Sequence, residues 1–444
     1  MNWLRVKDNS AVEKSDFSVI PNLSKHLADK TLKQLEREGV FMLSNSIQNA
    51  DDITEDQMVL QGFNSCYRTS NIMGFFGLGD ERLAITSRFC NSNNDFLFQY
   101  LLKRVLDPSI LDSPSNANQD EQLFDFLLFL LPGLLKAALR KGPFKQYVHA
   151  RLNDDRLKGT IDISRHIREN TPFVGTVAYD QRELSFDNDL MELIRHTLEF
   201  AKSKKYGGQL LAKARDEVKL VTAATPGYRS SERQKVVERN AKSPVRHAYY
   251  QEYLALQKLC LLILRHRKHQ IGADAHQIYG VLVDGAWLWE EYLNTLIGEG
   301  FHHPMNKSRQ GAQYLFSGGS GMIYPDFISR DAHHRVIADA KYKPASNIRS
   351  SDYLQLLAYM LRFDAKAGFY LYPEEDSAAE KTLTVNRGTT YESNVRPRED
   401  LHITKLGLKI PQDVPSYGVF EAKMIESEQR FLDTFRQLTE NRQI

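Results

Sequence analysis

Two carboxylates and a lysine stand close together in Met322-Ile-Tyr-Pro-Asp326-Phe-Ile and Val336-Ile-Ala-Asp339-Ala-Lys341. Both runs read as apolar strands ending near an acid, and Ser329-Arg-Asp-Ala-His-His334 between them reads as the turn of a hairpin. Side chains alternate faces along a strand, so Asp339 and Lys341 share one face. With Asp326 opposite Ile337, Asp339 becomes its diagonal neighbour, roughly 7–8 Å away between Cα atoms. That spacing suits one hard divalent cation such as Mg²⁺, which usually takes one or two protein carboxylates and completes its shell with water or phosphate. The same residues also fit an ordinary surface hairpin, so the flanking elements must decide.

Upstream, Asp284 to Gly298 reads as a helix with Asp284 as its cap and Gly298 as its stop. Leu288, Trp289, Tyr292, Leu293, Leu296 and Ile297 form its apolar face. Glu290 lies at the edge of that face and Glu291 points away from it. Glu290 is therefore either an additional inward-looking acid or one more surface glutamate. Downstream, Asp352 to Arg362 reads as a helix with Leu354, Leu357, Met360 and Leu361 on one side and Asp352, Gln355, Tyr359 and Arg362 on the other. Gly318-Gly-Ser-Gly321 has neither the lysine nor the following helix of a phosphate loop, so it reads as a turn that adds a strand to the hairpin, making a three-strand meander. The pairs His302-His303 and His333-His334 point differently on any regular element and read as loop residues.

The 444 residues exceed one typical core, so two or three domains are expected. With 42% hydrophobic and 26% charged residues the chain has a globular balance. Its net charge of +2 announces no polyanion partner, so any basic surface must be local. Lys202 to Arg246 holds twelve Lys or Arg against four Asp or Glu, and Arg265-His-Arg-Lys-His269 is a second cluster. Both suit either phosphate neutralisation or solvated helix faces.

Cys66, Cys90 and Cys260 form no CxxC, which fits a reducing cytoplasm without disulfides or zinc. The N-terminus has no apolar signal-peptide core. The greasiest run, Leu123 to Leu139, is interrupted by Asp125, Pro132-Gly133 and Lys136 and reads as a buried helix or helix pair, with no membrane association expected. No Walker A motif occurs, so no nucleotide is expected on this chain.

Elsewhere, Leu23 to Glu38 reads as an amphipathic helix, and Ile72 to Thr86 as two strands joined at Gly79-Asp80. Asp112 to Asp120 reads as a loop, and Pro226-Gly227 as an internal break. Asp187 or Asn188 caps the helix after Tyr179 to Phe186. Toward the C-terminus, Ala367 to Pro373 and Leu401 to Leu406 read as strands, Glu374 to Asp400 as a polar loop, and Tyr417 onward as an amphipathic helix.

Pro325-Asp326, twelve residues, then Asp339-Ala-Lys341 resembles the active-site pattern of PD-(D/E)xK nucleases, and Gln355-x-x-x-Tyr359 resembles the element that follows the lysine in their RecB-like members. Leu123 to Leu139 followed by Arg140-Lys-Gly142, Tyr147-Val148 and Gly159-Thr160-Ile161-Asp162, and then Tyr179 to Asp189 entering a helix, is similar to the McrC family, the nuclease subunit of McrBC-type restriction systems. Thr160 stands where that family carries arginine. The likeness extends from Leu123 to Met360.

The resemblance implies an α/β and α+β protein: a mixed N-terminal region over 1–240 that binds and activates a partner, with an inner break near 112–120, and a PD-(D/E)xK restriction-endonuclease-like domain over 241–444, a central mixed sheet flanked by helices. It implies a Mg²⁺-dependent endonuclease of phage and foreign-DNA defence, with Mn²⁺ as a substitute, acting on double-stranded DNA with a McrB-like AAA+ GTPase ring. Asp326, Asp339, Glu290 and the Ala340 carbonyl would hold metal. Asp326, Asp339, Lys341 and Gln355 would be catalytic, Lys341 positioning and helping to deprotonate the attacking water. Tyr359 would contact DNA or brace its helix, and Arg362 would contact DNA. The other readings are a stand-alone repair or mobile-element nuclease, and a non-cleaving activator of an AAA+ ring.

Overall fold

The structure is a computed structural model and describes residues 2–38, 40–42, 56–89, 95–106, 119–204, 207–269, 278–304, 313–375, 380–388 and 396–440. The chain divides into two compact units, Met1–Pro108 together with Ala275–Ile444, and Ser109–Asp274. The expected boundary between 240 and 241 falls inside a helix of the second unit, and the expected break at 112–120 lies largely outside the described residues.

The N-terminal segment of the first unit holds β1 (Asn2–Lys7), β2 (Ala11–Glu13), α1 (Pro21–Leu27), α2 (Leu32–Glu38), β3 (Val40–Met42), β4 (Leu60–Gly62), β5 (Cys66–Thr69), β6 (Ile72–Leu78), β7 (Glu81–Thr86) and α3 (Phe96–Leu106). The helix expected over Leu23 to Glu38 is broken in two. Asp29 takes a left-handed φ of 58° and its carboxylate accepts the Gly62 amide at 2.8 Å, so a side-chain cap replaces helix continuity. The β6–β7 hairpin turns at Gly79, whose φ of 55° favours glycine, as expected.

The second unit comprises α4 (Gln119–Leu139), β8 (Gln146–Asp154), β9 (Thr160–Ile161), α5 (Ile163–Glu169), β10 (Val177–Ser185), α6 (Asp189–Lys202), α7 (Gly207–Ala212), α8 (Arg215–Ala224), α9 (Arg233–Lys242) and α10 (Gln251–His269). The greasy run is one helix, α4, with Pro132 inside it and Leu127, Leu128, Leu131 and Leu135 buried. Among the described residues no helix is long and apolar enough to cross a membrane. Of the two expected caps, Asn188 takes the Met191 amide at the start of α6. Asp187 instead accepts the amide of Gly227, 2.8 Å away, which ties the Pro226-Gly227 turn to α6 rather than leaving it as a break.

The chain then completes the first unit with β11 (Tyr279–Asp284), α11 (Gly285–Ile297), β12 (Phe301–His302), β13 (Gln313–Phe316), β14 (Ser320–Ile323), β15 (Phe327–Ser329), β16 (Val336–Ala340), α12 (Ser350–Phe363), β17 (Ala367–Glu374), β18 (Lys381–Arg387), β19 (Arg396–Lys409) and α13 (Tyr417–Glu440). β11 enters the N-terminal sheet, whose order is β1-β7-β6-β11-β3. A second sheet runs β12-β15-β16-β17-β19-β18. Its centre is parallel because α12 carries the chain from β16 to β17, and its edges are antiparallel.

This mixed sheet is sandwiched by helices, the α/β arrangement the order of elements suggested. Ile337, Tyr370, Tyr372 and Ile403 pack against Leu356, Tyr359 and Met360 of α12. On the other face Phe369 meets Phe435 of α13. Two expectations fail here. β13 and β14 form their own two-stranded sheet instead of extending the hairpin into a meander. The polar stretch after Glu374 contains β18, whose alternating half-buried residues pair with β19 as an edge strand.

Candidate active site

β15 and β16 pair with Phe327 opposite Ala338 and Ile328 opposite Ile337. Continuing that register by one residue brings Asp326 directly opposite Asp339, so the register expected from the sequence, with Ile337 opposite Asp326, is off by two residues. The cause is local: Asp326 lies in a bend before β15, and its Oδ2 accepts the Ala340 amide at 2.8 Å, fixing the carboxylate across the strand pair. Asp339 is buried in β16, and the next residue on the same face, Lys341, sets its Nζ 2.6 Å from Asp339 Oδ2.

Three further contacts hold Lys341. Its amide donates to the Leu371 carbonyl at 2.9 Å, an acceptor that also takes the Trp289 indole N–H at 3.1 Å. Its ammonium donates to Gln355 Oε1 at 3.2 Å and stands 3.9 Å from Asp352 Oδ1. Gln355 in turn donates to the Tyr359 hydroxyl at 2.8 Å. Asp326, Asp339, Lys341, Gln355 and Tyr359 are thus brought together.

The faces of α12 differ from the expected ones. Leu354 and Leu361 are 69% and 80% exposed, whereas Asp352, Leu356, Tyr359 and Met360 are buried. Asp352 is pulled in by Lys343, 2.8 Å from its carboxylate, and by the Arg349 amide. Tyr359 is buried against the sheet, where its hydroxyl accepts the Gln355 amide. Arg362 bonds the Tyr314 carbonyl at 2.7 Å.

Glu290 projects from α11, whose start is fixed by Asp284 accepting the amides of Ala286 and Trp287. Glu291 does not point away as expected. Both glutamates place a carboxylate oxygen 3.7 Å from His303 Nε2, while Trp287 donates to Glu291. His303 Nδ1 lies 2.9 Å from the Asp326 carbonyl, and its ring stacks on Phe327 with centroids 4.9 Å apart. Sequence reading missed His303 as a site residue: two adjacent histidines gave no sign of which one the fold turns toward the acids. His302, its neighbour, meets Arg330 instead.

The electrostatics follow from this crowding. Burial pushes the Asp326 carboxyl well above the usual carboxylate range, and the charges of Glu290 and Asp339 push it further. Burial disfavours the Lys341 ammonium, but Asp339, Asp326 and Asp352 outweigh it and raise its pKa above that of a free lysine. Lys341 is therefore held as an ammonium between the Asp339 carboxylate and Gln355. The donor set is all oxygen, and a dication would relieve the repulsion that destabilises ionised Asp326, so these residues fit a hard metal. Among the described residues no group of three or more His, Cys, Asp or Glu side chains is gathered to hold one. Mg²⁺ usually needs no more than one or two protein carboxylates.

Among solved structures, the chain is similar to one in a refined half-complex from a tetradecameric assembly of Thermococcus gammatolerans McrB AAA+ hexamers with bound McrC, at 16% identity and a TM-score of 0.47, over 98% of this chain and all of that one. It is also similar to a chain of the Thermococcus gammatolerans McrBC complex, at 16% identity and a TM-score of 0.30, over 67% of this chain and 88% of that one. No curated protein matches. The family model described as McrBC 5-methylcytosine restriction system component matches residues 67–373, and the chain belongs to that family.

Proposed function

We propose that this chain is the McrC-type nuclease subunit of a restriction system, a Mg²⁺-dependent DNA endonuclease built on a PD-(D/E)xK core and driven by a McrB-type AAA+ GTPase. The observation that carries the proposal is the meeting of Asp326, Asp339 and Lys341 at one end of the β15–β16 pair, with Lys341 Nζ 2.6 Å from Asp339. A surface hairpin of no function has no reason to keep two crowded carboxylates beside a partly buried ammonium, since each costs desolvation.

Asp326, Asp339 and the Ala340 carbonyl, helped by Glu290, would hold Mg²⁺, which when bound supplies a Lewis acid for a phosphate oxygen and a more acidic water. Lys341 orients that water or the phosphate by donating a hydrogen bond, and stabilises negative charge on the phosphate oxygens. Gln355 keeps the ammonium in place, and Tyr359 keeps Gln355 in place. Trp289 and Leu371 lock the strand end from behind, so the lysine is positioned before substrate arrives.

The second unit would engage the ring. Its three-stranded sheet β8-β10-β9, helix α5 and the loop from α5 to β10 expose Tyr147, Ile163, Ile167, Phe173, Val174 and Leu184, each more than half exposed. So much apolar side chain in one supersecondary unit marks a protein-binding surface.

The test is cleavage of modified and unmodified duplex DNA with Mg²⁺, GTP or ATP, and the co-expressed ring. Asp339→Ala and Lys341→Ala are expected to abolish cleavage with circular dichroism unchanged. A fully active Lys341→Ala protein would end the nuclease assignment. An ATP- or GTP-hydrolysing ring that ignores the chain would end the partner assignment.

A further inference from the structure

The β13–β14 hairpin leads straight into Asp326, yet the chemistry above leaves it without a task. Tyr314 and Phe316 alternate along β13 and therefore share one face, which Met322 opposite Tyr314 extends. All three are exposed, by 44%, 61% and 47%. The ring of Phe316 lies across the neighbouring strand, because Gly321, at φ 69°, leaves the room: a Cβ there would sit 2.8 Å from the ring. On the other face Ile323 packs on the core that contains Leu356 and Tyr359.

Arg362 Nε binds the Tyr314 carbonyl, so the hairpin is fastened to the helix whose Gln355 holds Lys341. Gln355 and Arg362 are two turns apart, roughly 10 Å along the helix. The charge pattern names the occupant. From Gln313 to Pro325 the sequence contains no Asp or Glu, and the exposed Arg362 brings a cation to Tyr314. An aromatic hairpin with no acid of its own, beside a cation and a phosphate-cleaving site, suits a polyanion that offers flat π faces.

We propose that the β13–β14 hairpin is a base-stacking platform on which Tyr314 and Phe316 hold unpaired or frayed nucleotides of the substrate strand beside the cut phosphate. This rests on the nuclease reading and adds to it how the strand is aligned.

The experiment uses the full chain in EDTA, with single-stranded and fork-ended duplex oligonucleotides carrying 2-aminopurine at successive positions. Stacking is expected to quench the fluorophore most strongly near one position. Tyr314→Ala/Phe316→Ala is expected to remove the quench and weaken binding at least fivefold, while Phe316→Trp retains both. Unchanged quench and affinity in the double variant would overturn the platform. So would loss of self-association by sedimentation with DNA affinity intact, which would make the face a contact between protein chains. The cleavage assay separates the two readings. If wild type cleaves in a Lys341-dependent way and the double variant binds and cleaves equally well, only the platform falls. If wild type neither binds nor cleaves, the nuclease reading falls and the platform with it.

Discussion

Tyr342, the residue after the site lysine, shares a 2.6 Å hydrogen bond with Ser87 of the N-terminal segment. The two hydroxyls are buried, 255 residues apart in sequence, and Tyr342 also packs edge-on against Phe89. Gly285, the first residue of α11, must stay small here, since a Cβ would stand 2.7 Å from the Tyr342 ring. The N-terminal sheet therefore supports both Lys341 and the helix that carries Glu290.

Tyr342→Phe and Ser87→Ala are expected to differ. With the phenol gone, Ser87 Oγ still accepts the Phe89 amide, so the loss is about 1 kcal/mol. With the serine gone, the buried phenol keeps only a 3.4 Å contact to Met73 Sδ, and the cost rises to about 2 kcal/mol. Urea denaturation of both variants checks the order. A Tyr342→Phe protein less stable than Ser87→Ala would show that this bond does not link the two segments as described.

Asp326→Asn is expected to stabilise the protein without divalent ions, on the order of 1 kcal/mol, while abolishing cleavage. The asparagine oxygen can still accept the Ala340 amide, and the repulsion from Glu290 and Asp339 disappears. Thermal melting in EDTA decides it. A lower melting temperature for the variant would mean that the crowding is compensated, and that the acids are not held ready for a cation.

His303→Ala should loosen Asp326, because the imidazole is a strut between the Asp326 carbonyl and the two glutamates of α11. The expected cost is about 1–2 kcal/mol, with part restored by His303→Gln, which retains a donor. Equal stabilities of the alanine and glutamine variants would reduce His303 to its stacking on Phe327.

The sequence made legible what is repeated or local. The strands around Asp326 and Asp339, the cap at Asp284 and the turn at Gly79 each follow from period or residue chemistry within a few positions. What depended on distant chain was not legible. Of the apolar face expected on α12, Met360 is buried, but Leu354 and Leu361 are exposed because tertiary packing chose Leu356 and Tyr359 instead, and an ion pair with Lys343 drew the charged Asp352 inward. The site's dependence on Ser87 and on β11, a strand of the N-terminal sheet, has no signal in spacing at all. Nor does the choice of His303 over His302.

The second unit offers a pH test independent of the acidic site. His196 of α6 is buried with its ring 4.6 Å from Tyr228, and burial, reinforced by the charges of Arg233 and Arg195, lowers its pKa from 6.5 to about 4. The unfolded chain thus takes up the proton first as pH falls. Stability from neutral His196 is complete above about pH 6.5 and is lost between there and pH 4, on the order of 3 kcal/mol. His196→Phe removes the proton and keeps the aromatic contact, so its denaturation midpoint should fall less than that of wild type from pH 7 to pH 5. Parallel declines in the two proteins would show that His196 is not held neutral by the fold.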